Sequence, residues 1–286
     1  MKLAVIGGSQ QGAEACYLAQ KAGIPTLLVD REENAPARGL CDEFIQADIR
    51  YADDELVGKL RTVDFILPAL EDEEALWALE RMKELHWLKL AFDFRAHAIT
   101  SSPKMSRDLL IENGIPTPLP FPQGNPPYVL CPRESGEGPR RFETAEELNA
   151  FLSGRYEAEE YVAHELLTGP CFSIQVIGRP GDYHVYAPTQ ITADEHRCYR
   201  LATAPRPLNP AEEKELAAIA LRVAELVELA GILDVKTVLH QGTHRVVEFS
   251  ARLPVHAPTA VYLATGVNYI QELAVLFAGA RYAGHV

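Results

Sequence analysis

Two acidic residues and one arginine lie in apolar segments late in the chain. Asp234 lies in one apolar segment, and Glu248 and Arg252 lie four residues apart in the next. If the second segment is a strand, residues 248, 250 and 252 share one face. Two carboxylates that converge on one point repel each other unless a cation joins them, and Mg²⁺ with bound waters is the natural choice. The alternative is a pair of solvated acids at strand ends.

A second carboxylate pair, Glu71 and Asp72, follows the apolar run at 65–67. Carboxylates at the C-terminal end of a parallel strand lie where α/β sheets bind ligands, so this pair could hold a substrate ammonium group. Acidic residues are also favoured at a helix N-terminus for structural reasons alone. The sequence leaves both interpretations open.

Glycines follow the first apolar run at Gly7, Gly8 and Gly12. They allow close approach of a ligand or of another backbone segment, and the helix that follows would favour an anion at its N-terminus. The dinucleotide fingerprint requires a further glycine where Ser9 stands, although Asp30 lies where such enzymes hold a ribose. The pattern favours a tight turn first, a substrate-carboxylate site second and NAD third.

The elements that must position these residues can be predicted from the hydrophobic pattern. Fully apolar short strands alternate with helical segments up to about residue 95, which predicts a doubly wound parallel sheet covered on both faces. A helix with Ser102 as its N-cap and Pro103 at its first position follows. A further helix begins at Asn209, where Glu212 completes a capping box.

We predict three lobes from this pattern. The first is a Rossmann-like α/β lobe, and two α+β lobes follow it after a proline-rich connector at 116–127. The predicted bounds of the three lobes are 1–95, 96–162 and 163–286.

Composition excludes several classes of function. The chain has 286 residues and a net charge of −13, which disfavours nucleic acid and anionic membrane surfaces as partners. The first apolar run is too short for a signal peptide, and no run approaches the length of a membrane span. Five cysteines without C-x-x-C spacing indicate reduced thiols in a cytoplasmic protein and disfavour a zinc site.

Several passages in order resemble ATP-grasp ligases over nearly the whole chain. Residues 245–254 resemble the E-x-N/D-x-R strand that holds magnesium and phosphate in those enzymes. Residues 102–118 resemble their lysine helix with its "gip-P" continuation, and residues 161–170 resemble the strand that becomes the adenine hinge. Residues 231–235 and 247–268 are most like the PylC-type members, pyrrolysine-pathway ligases that join 3-methylornithine to lysine.

The resemblance implies a preATP-grasp lobe followed by the two ATP-grasp lobes, with ATP and Mg²⁺ as cofactors. Such enzymes phosphorylate a carboxylate with ATP, and an amine attacks the acyl phosphate. It also implies small-molecule amino-acid substrates and a possible homodimer. Arg252 would act in catalysis by steadying the phosphate or acyl phosphate, and Asp234 and Glu248 would hold magnesium. Glu71 and Asp72, singled out by their position after a strand, are the candidate substrate-binding residues together with Arg252. The residues implied to contact the nucleotide are Lys104, which is also implied in catalysis, and Ser135, Gly136, Gly138, Glu165, Leu166 and Leu167.

Three positions depart from the family pattern. Cys131 replaces the usual lysine of the lid strand, Lys236 replaces a carboxylate of PylC-type sequences, and Ser250 replaces a metal-binding acid or amide. Fewer acids should bind magnesium less tightly, so a catalytically degenerate nucleotide-binding or amino-acid-binding protein is the alternative to an active ligase. An NAD-type oxidoreductase ranks third. We expect the Lys236 ammonium to partner Glu248 or Asp234, and we expect Glu165 and Leu167 to line an adenine slot.

Overall fold

The computed structural model describes most of the chain. Five short segments lie outside the description, among them the predicted phosphate loop with Ser135, Gly136 and Gly138. The described residues are 1–132, 139–153, 161–193, 199–203 and 208–281.

A four-stranded parallel sheet forms the first lobe, as predicted. Its faces are covered separately: one helix packs on one side together with the C-terminal helices, and two helices pack on the other. The strands are hydrogen-bonded in the order β3-β2-β1-β4. The elements are β1 (Leu3–Ile6), α1 (Gln10–Lys21), β2 (Thr26–Asp30), β3 (Glu43–Gln46), α2 (Asp54–Leu60), β4 (Phe65–Pro68) and α3 (Glu73–His86), with 3₁₀ turns at Pro36–Leu40 and Ile49–Tyr51.

Two short helices lead from the first lobe to a small antiparallel sheet, here called the lid sheet. The second of these helices has Ser102 as its N-cap, as predicted, and the Ser102 side chain accepts a hydrogen bond from the Met105 N–H. The predicted lobe boundary at 162/163 falls inside the last lid strand. The elements are α4 (Phe94–Thr100), α5 (Pro103–Glu112), β5 (Tyr128–Pro132), β6 (Arg140–Phe142), α6 (Ala145–Ser153) and β7 (Tyr161–Glu165), and the lid sheet has the order β6-β5-β7.

A six-stranded antiparallel sheet forms the third part of the molecule. One helix packs across one of its faces, and the capping box at Asn209 and Glu212 that starts this helix is present as predicted. The elements are β8 (Cys171–Arg179), β9 (Asp182–Val185), β10 (Thr189–Ala193), β11 (Tyr199–Thr203), α7 (Pro210–Leu226), β12 (Gly231–His240) and β13 (Thr243–Ser250), with the order β11-β10-β8-β12-β13 and β9 paired to β8.

The pairing of β12 with β13 sets the positions of the candidate site residues. Asp234 lies opposite Ser250 and Lys236 lies opposite Glu248, but the next pair is Thr237 with Val246. Val247 is therefore one residue in excess, which is a β-bulge. On both sides of the bulge, the face of the sheet that packs against α7 stays buried. The polar side chains of the two strands lie on the opposite face, here called the cleft face.

The last two helices, α8 (Ala257–Thr265) and α9 (Tyr269–Ala278), return to the first lobe. Asn268 Nδ2 donates to the Leu18 carbonyl at 2.7 Å, and Gln11 Nε2 donates to the Leu253 carbonyl at 3.0 Å. These buried hydrogen bonds join α1 of the first lobe to the segment after β13 and to the start of α9. Asn268 is the N-cap of α9, because its side chain accepts the N–H groups of Ile270 and Gln271.

Within the described ranges, no single helix is long and apolar enough to cross a membrane. Only α8 and α9 taken together pass that test of length and composition, and they meet at an angle of 101°.

Candidate active site

Two cavities are lined by residues of β12 or β13, and a third lies beside them in the first lobe. The first-lobe cavity has a volume of about 510 Å³, the central cavity about 220 Å³ and the lid cavity about 260 Å³. The first two share Gln10, Gln11, Glu71 and Val255 as wall residues, so they are neighbours. The lid cavity lies between α4, α5, the lid sheet and β13.

The first-lobe cavity opens at the C-terminal ends of the parallel strands, where ligands of α/β sheets bind. Glu71 and Asp72 both line it, which is where the sequence placed a substrate site. Asp72 is also the N-cap of α3, because its carboxylate accepts the Ala75 N–H at 3.0 Å. Arg31 lies 3.7 Å from Asp72, so part of the acidic charge of this cavity is compensated.

The glycine loop after β1 is explained by its own packing. A Cβ on Gly12 would lie 2.1 Å from the Gly7 carbonyl oxygen, and Gly7 has φ of +100°. The Gly8 N–H donates to an Asp30 carboxylate oxygen at 2.5 Å. The tight-turn interpretation therefore accounts for these residues, and Asp30 is occupied by the loop itself.

Arg252 lines the central cavity together with Asp234, Lys236 and Ser250. Its guanidinium forms an ion pair with Glu71, which projects from the first lobe. The predicted phosphate-binding arginine and a predicted substrate-binding carboxylate are thus brought into direct contact.

Asp234 is almost fully buried in the sheet. One carboxylate oxygen accepts hydrogen bonds from Ser173 Oγ at 2.5 Å and from Gln175 Nε2 at 2.7 Å. Gln175 in turn accepts a hydrogen bond from the Tyr269 hydroxyl at 2.9 Å. Burial raises the pKa of Asp234, and the nearby Lys236 ammonium and the two hydrogen bonds oppose that shift.

Lys236 Nζ lies 3.0 Å from Glu248 Oε1, which confirms the predicted partnership. The Lys236 side chain is 19% exposed and the Glu248 side chain 43% exposed. Lys236 lines the central cavity, and Glu248 lines the lid cavity. Glu248 faces a cavity as predicted, but its nearest charged partner is Lys236, whereas Arg252 and Asp234 line the neighbouring cavity.

A thiol and an imidazole lie side by side in the lid cavity. Cys131 Sγ is 3.8 Å from His164 Nε2, and His164 Nδ1 is 2.8 Å from the Glu165 carbonyl oxygen. A ring nitrogen beside a carbonyl oxygen must carry the proton, so Nδ1 donates and Nε2 is left to accept from the thiol. Cys131, which stands where the family has a lysine, is therefore part of a polar pair in this cavity.

Lys104 is exposed on α5 and is absent from the described linings of the three cavities. Arg107, three residues later and one turn along the same helix, lines the lid cavity instead. Arg107 was not predicted as a site residue. Its helical spacing from Lys104 could have indicated that it lies near the same face of α5. The role of Lys104 in phosphate binding stays a prediction.

Glu165 does not form the wall of an apolar slot, which corrects the prediction for this side chain. It is 5% exposed, forms an ion pair with Arg245 and accepts the Leu119 N–H at 2.9 Å. A buried carboxylate requires such partners, and these two turn it away from the lid cavity. The neighbouring Leu166 N–H donates to the Pro127 carbonyl at 2.7 Å, and adenine binding by residues 165–167 stays a prediction.

The donor groups fit a magnesium ion that arrives with phosphates. Mg²⁺ keeps several waters and needs only one or two protein carboxylates when phosphates complete its coordination. Glu248 meets this need, because it is half-exposed at a cavity. Across the described parts of the chain, no group of three or more His, Cys, Asp or Glu residues is placed to hold a metal ion. The site therefore suits one ion shared with phosphates and lacks a closed protein cage.

Comparison with known proteins identifies relatives over almost the whole chain. The 3-methyl-D-ornithine–L-lysine ligase of Methanosarcina mazei is 33% identical over 278 residues, which are 97% of this chain and 72% of the relative. The enzyme of the same name from Methanosarcina acetivorans is 34% identical over 274 residues, 95% of this chain and 72% of the relative. A carbamoyl-phosphate synthase of Methanobrevibacter smithii is 21% identical over 304 residues, covering 98% of this chain and 81% of the relative. No family model matches the chain.

Solved structures show the same fold. The ADP complex of N5-carboxyaminoimidazole synthetase from Staphylococcus aureus has a TM-score of 0.75 at 16% identity and covers 99% of this chain and 78% of the other. The biotin carboxylase domain of Hydrogenobacter thermophilus 2-oxoglutarate carboxylase, with MgADP, has a TM-score of 0.77 at 15% identity, covering 98% and 70%. The chain therefore belongs to the ATP-grasp ligases, in the family of the 3-methyl-D-ornithine–L-lysine ligases, and is an ATP-dependent carboxylate–amine ligase with ATP and Mg²⁺ as cofactors.

Proposed function

We propose that this ligase joins the carboxylate of a dibasic amino acid to an amine of a second amino acid. The relatives are named for 3-methyl-D-ornithine and L-lysine, and this pair is the proposed substrate pair here. The observation that carries the proposal is the acidic first-lobe cavity, which shares wall residues with the central cavity that Arg252 lines.

The charge of the first-lobe cavity supports a cationic substrate. Five carboxylates line it, and Arg31 is the cation among the described residues of its wall; two of the five carboxylates pair with arginines beyond the wall, Asp48 with Arg50 and Glu71 with Arg252. A substrate with two ammonium groups would find compensating charge there, whereas an acidic amino acid would be repelled. The lining carboxylates are Asp30, Glu32, Asp48, Glu71 and Asp72.

The lid cavity is the proposed nucleotide site. Arg107 and Glu248 line it, and Pro103, Val162 and Val247 supply apolar surface. An arginine suits a phosphate group, and apolar side chains suit a base. The backbone of Leu166 and Leu167 is the proposed contact of the adenine edge. Lys104, Ser135, Gly136 and Gly138 complete the proposed phosphate-binding set.

The proposed reaction has two steps, phosphorylation of the carboxylate and attack by the amine. A substrate carboxylate oxygen attacks the γ-phosphorus of ATP, and the bond to the ADP oxygen breaks, giving an acyl phosphate and ADP. The amine nitrogen of the second substrate then attacks the carbonyl carbon, phosphate leaves, and the nitrogen loses a proton. Arg252 lies where its guanidinium can hold the transferring phosphoryl oxygens once Glu71 turns to a substrate ammonium group. Glu248 would hold Mg²⁺, and the ion would supply positive charge toward the phosphates.

A direct assay tests this proposal. The protein is incubated with ATP, Mg²⁺, 3-methyl-D-ornithine and L-lysine, ADP release is followed, and the amide product is identified by mass spectrometry. The Glu71→Gln variant should have a raised KM for the dibasic substrate. Glu74→Gln is the matched control, because Glu74 is 70% exposed and is absent from the described cavity walls. ATP binding without ADP release for any dibasic amino acid would refute the proposed substrate class.

We also infer that the ligase acts in the cytoplasm as a homodimer. Cys16 and Cys41 are free thiols, which suits a reducing compartment. The biotin carboxylase structure that shares the fold is described as a dimer. Light scattering on the purified protein measures the assembly, and a monomeric mass at working concentration would contradict it.

A further inference from the structure

We infer that Lys236 is a catalytic residue whose ammonium group contacts the transferring phosphoryl oxygens and replaces one of two divalent cations. The ligase would then bind ATP with a single Mg²⁺ ion. This inference rests on the proposed placement of ATP in the lid cavity.

The position of Lys236 is the first observation. Its ammonium contacts Glu248, which lines the lid cavity, while its own side chain lines the central cavity with Arg252. The ion pair therefore lies where the proposed nucleotide site meets the proposed carboxylate site. With ATP in the lid cavity and the substrate carboxylate beside Arg252, the transferring phosphoryl group would pass close to this ion pair.

The charge on this face of the sheet is the second observation. Asp234 and Glu248 are the two carboxylates of the β12–β13 cleft face that neighbour Lys236, and the residue opposite Asp234 is the neutral Ser250. Asp234 is buried and hydrogen-bonded within the sheet. One carboxylate, Glu248, is thus exposed for a divalent ion, and a second divalent ion would face the Lys236 ammonium. Like charges at such a distance repel, so the lysine and a second metal ion exclude each other.

An ordinary surface ion pair is the competing explanation. Partly exposed pairs of this kind contribute little to stability and nothing to metal stoichiometry. The two explanations differ in what happens to ATP binding when the lysine is removed, because only a phosphate-contacting lysine changes the affinity for the nucleotide.

Calorimetric titration with a non-hydrolysable ATP analogue over a range of Mg²⁺ concentrations tests the inference. For the wild type, the logarithm of the affinity should rise with the logarithm of the free Mg²⁺ concentration with a slope of one. Lys236→Met should bind the analogue at least about tenfold more weakly, since a charge-assisted hydrogen bond contributes about that much. The double variant Lys236→Glu with Ser250→Asp should show a slope approaching two.

Controls separate this inference from failure of folding and from failure of the proposed substrates. Lys214→Met changes an exposed lysine of α7 and should leave binding unchanged, and thermal unfolding verifies that every variant is folded. In ligation assays Lys236→Met should lower kcat by about 100-fold, the usual cost of losing one group that stabilises transition-state charge. A wild-type slope of two, or unchanged nucleotide affinity in Lys236→Met, would overturn the inference. Loss of ligation with the named substrates alone would count against the proposed substrates only, because nucleotide binding is measured separately.

Discussion

Arg252, just beyond β13, forms an ion pair with Glu71, on the loop after β4, across the central cavity. The Arg252 side chain is 24% exposed and that of Glu71 is 64% exposed, so the arginine is held at the cavity while its partner reaches solvent. The guanidinium charge is compensated by Glu71 until another anion takes its place. The pair therefore couples the proposed ammonium-binding group to the proposed phosphate-binding group.

Replacing Arg252 should impair catalysis far more than stability. We expect Arg252→Met to lower kcat by about 100-fold, because a preorganised charge at the reacting phosphoryl group is lost. The free energy of unfolding should change by less than about 1 kcal/mol, since ion pairs with one largely exposed partner contribute little. ADP release and urea unfolding measure the two effects. Arg179→Met, at an exposed position, is the control, and an Arg252→Met enzyme with normal kcat would exclude the assigned role.

Chemical labelling should locate the nucleotide. Cys131 lines the lid cavity beside His164, so bound ATP should shield it from iodoacetamide. At a nucleotide concentration about ten times the Kd, we expect the alkylation rate of Cys131 to fall about tenfold, in proportion to the free fraction. Peptide mass spectrometry gives the rate at each cysteine, and Cys41, which lines none of the three described cavities, should react at an unchanged rate. Unshielded Cys131 in the presence of bound ATP would place the nucleotide elsewhere.

Asp234 should make the protein less stable as pH rises. Burial raises its pKa in the folded state, so the folded chain binds more protons than the unfolded chain between the unfolded and folded pKa values. Its contribution is therefore fully present below the unfolded pKa and is lost as pH rises through the folded pKa.

The Asp234→Asn variant tests this sign. The amide oxygen can still accept from Ser173 and Gln175, so the change mainly removes the titrating group. Urea unfolding from about pH 4 to about pH 8 should show the variant gaining stability relative to wild type as pH rises. If the free energies of unfolding of the variant and the wild type change equally with pH, Asp234 does not titrate in this pH range.

Glu14 should stabilise the contact between the first lobe and α8. Its carboxylate accepts the N–H groups of His256 and Thr259, each at 3.0 Å, and so caps the N-terminus of that helix. We expect Glu14→Ala to lower the free energy of unfolding by about 1–2 kcal/mol, as for other lost helix caps. Glu80→Ala, at an exposed position of α3, is the control. An equal effect of both substitutions would show that the cap adds nothing specific.

Local signals predicted much of the fold. Fully apolar strands indicated the parallel sheet, Ser102 marked the start of α5, and Asn209 with Glu212 marked the start of α7. These features depend on residues close together in the chain, whose propensities act before tertiary contacts form. The ion pair of Lys236 with Glu248 was also predictable. If β12 and β13 are neighbouring strands, strand alternation can place the two side chains on the same face.

Long-range contacts account for what the sequence did not reveal. Glu165 is turned away from the lid cavity by Arg245, which lies 80 residues further along the chain. Arg107 lines the lid cavity because of how α5 packs against the lid sheet and β13. The local pattern has no signature for the Glu165 contact, and for Arg107 it offers only the helical spacing from Lys104, since each arrangement depends on the relative placement of separate elements.

The bulge at Val247 implies that this strand can lose a residue without losing its core. In a regular strand, neighbouring residues lie on opposite faces and each has a partner on the next strand. Val247 is an extra residue that has no partner on β12. Phe249 on one side of it and Val246 on the other both remain buried. Deletion of Val247 would therefore restore a regular ladder and keep Glu248 opposite Lys236, while removing one apolar side chain from the lid cavity. Homologous chains that differ here by a single-residue deletion would thus share a fold and differ in the shape of their nucleotide site.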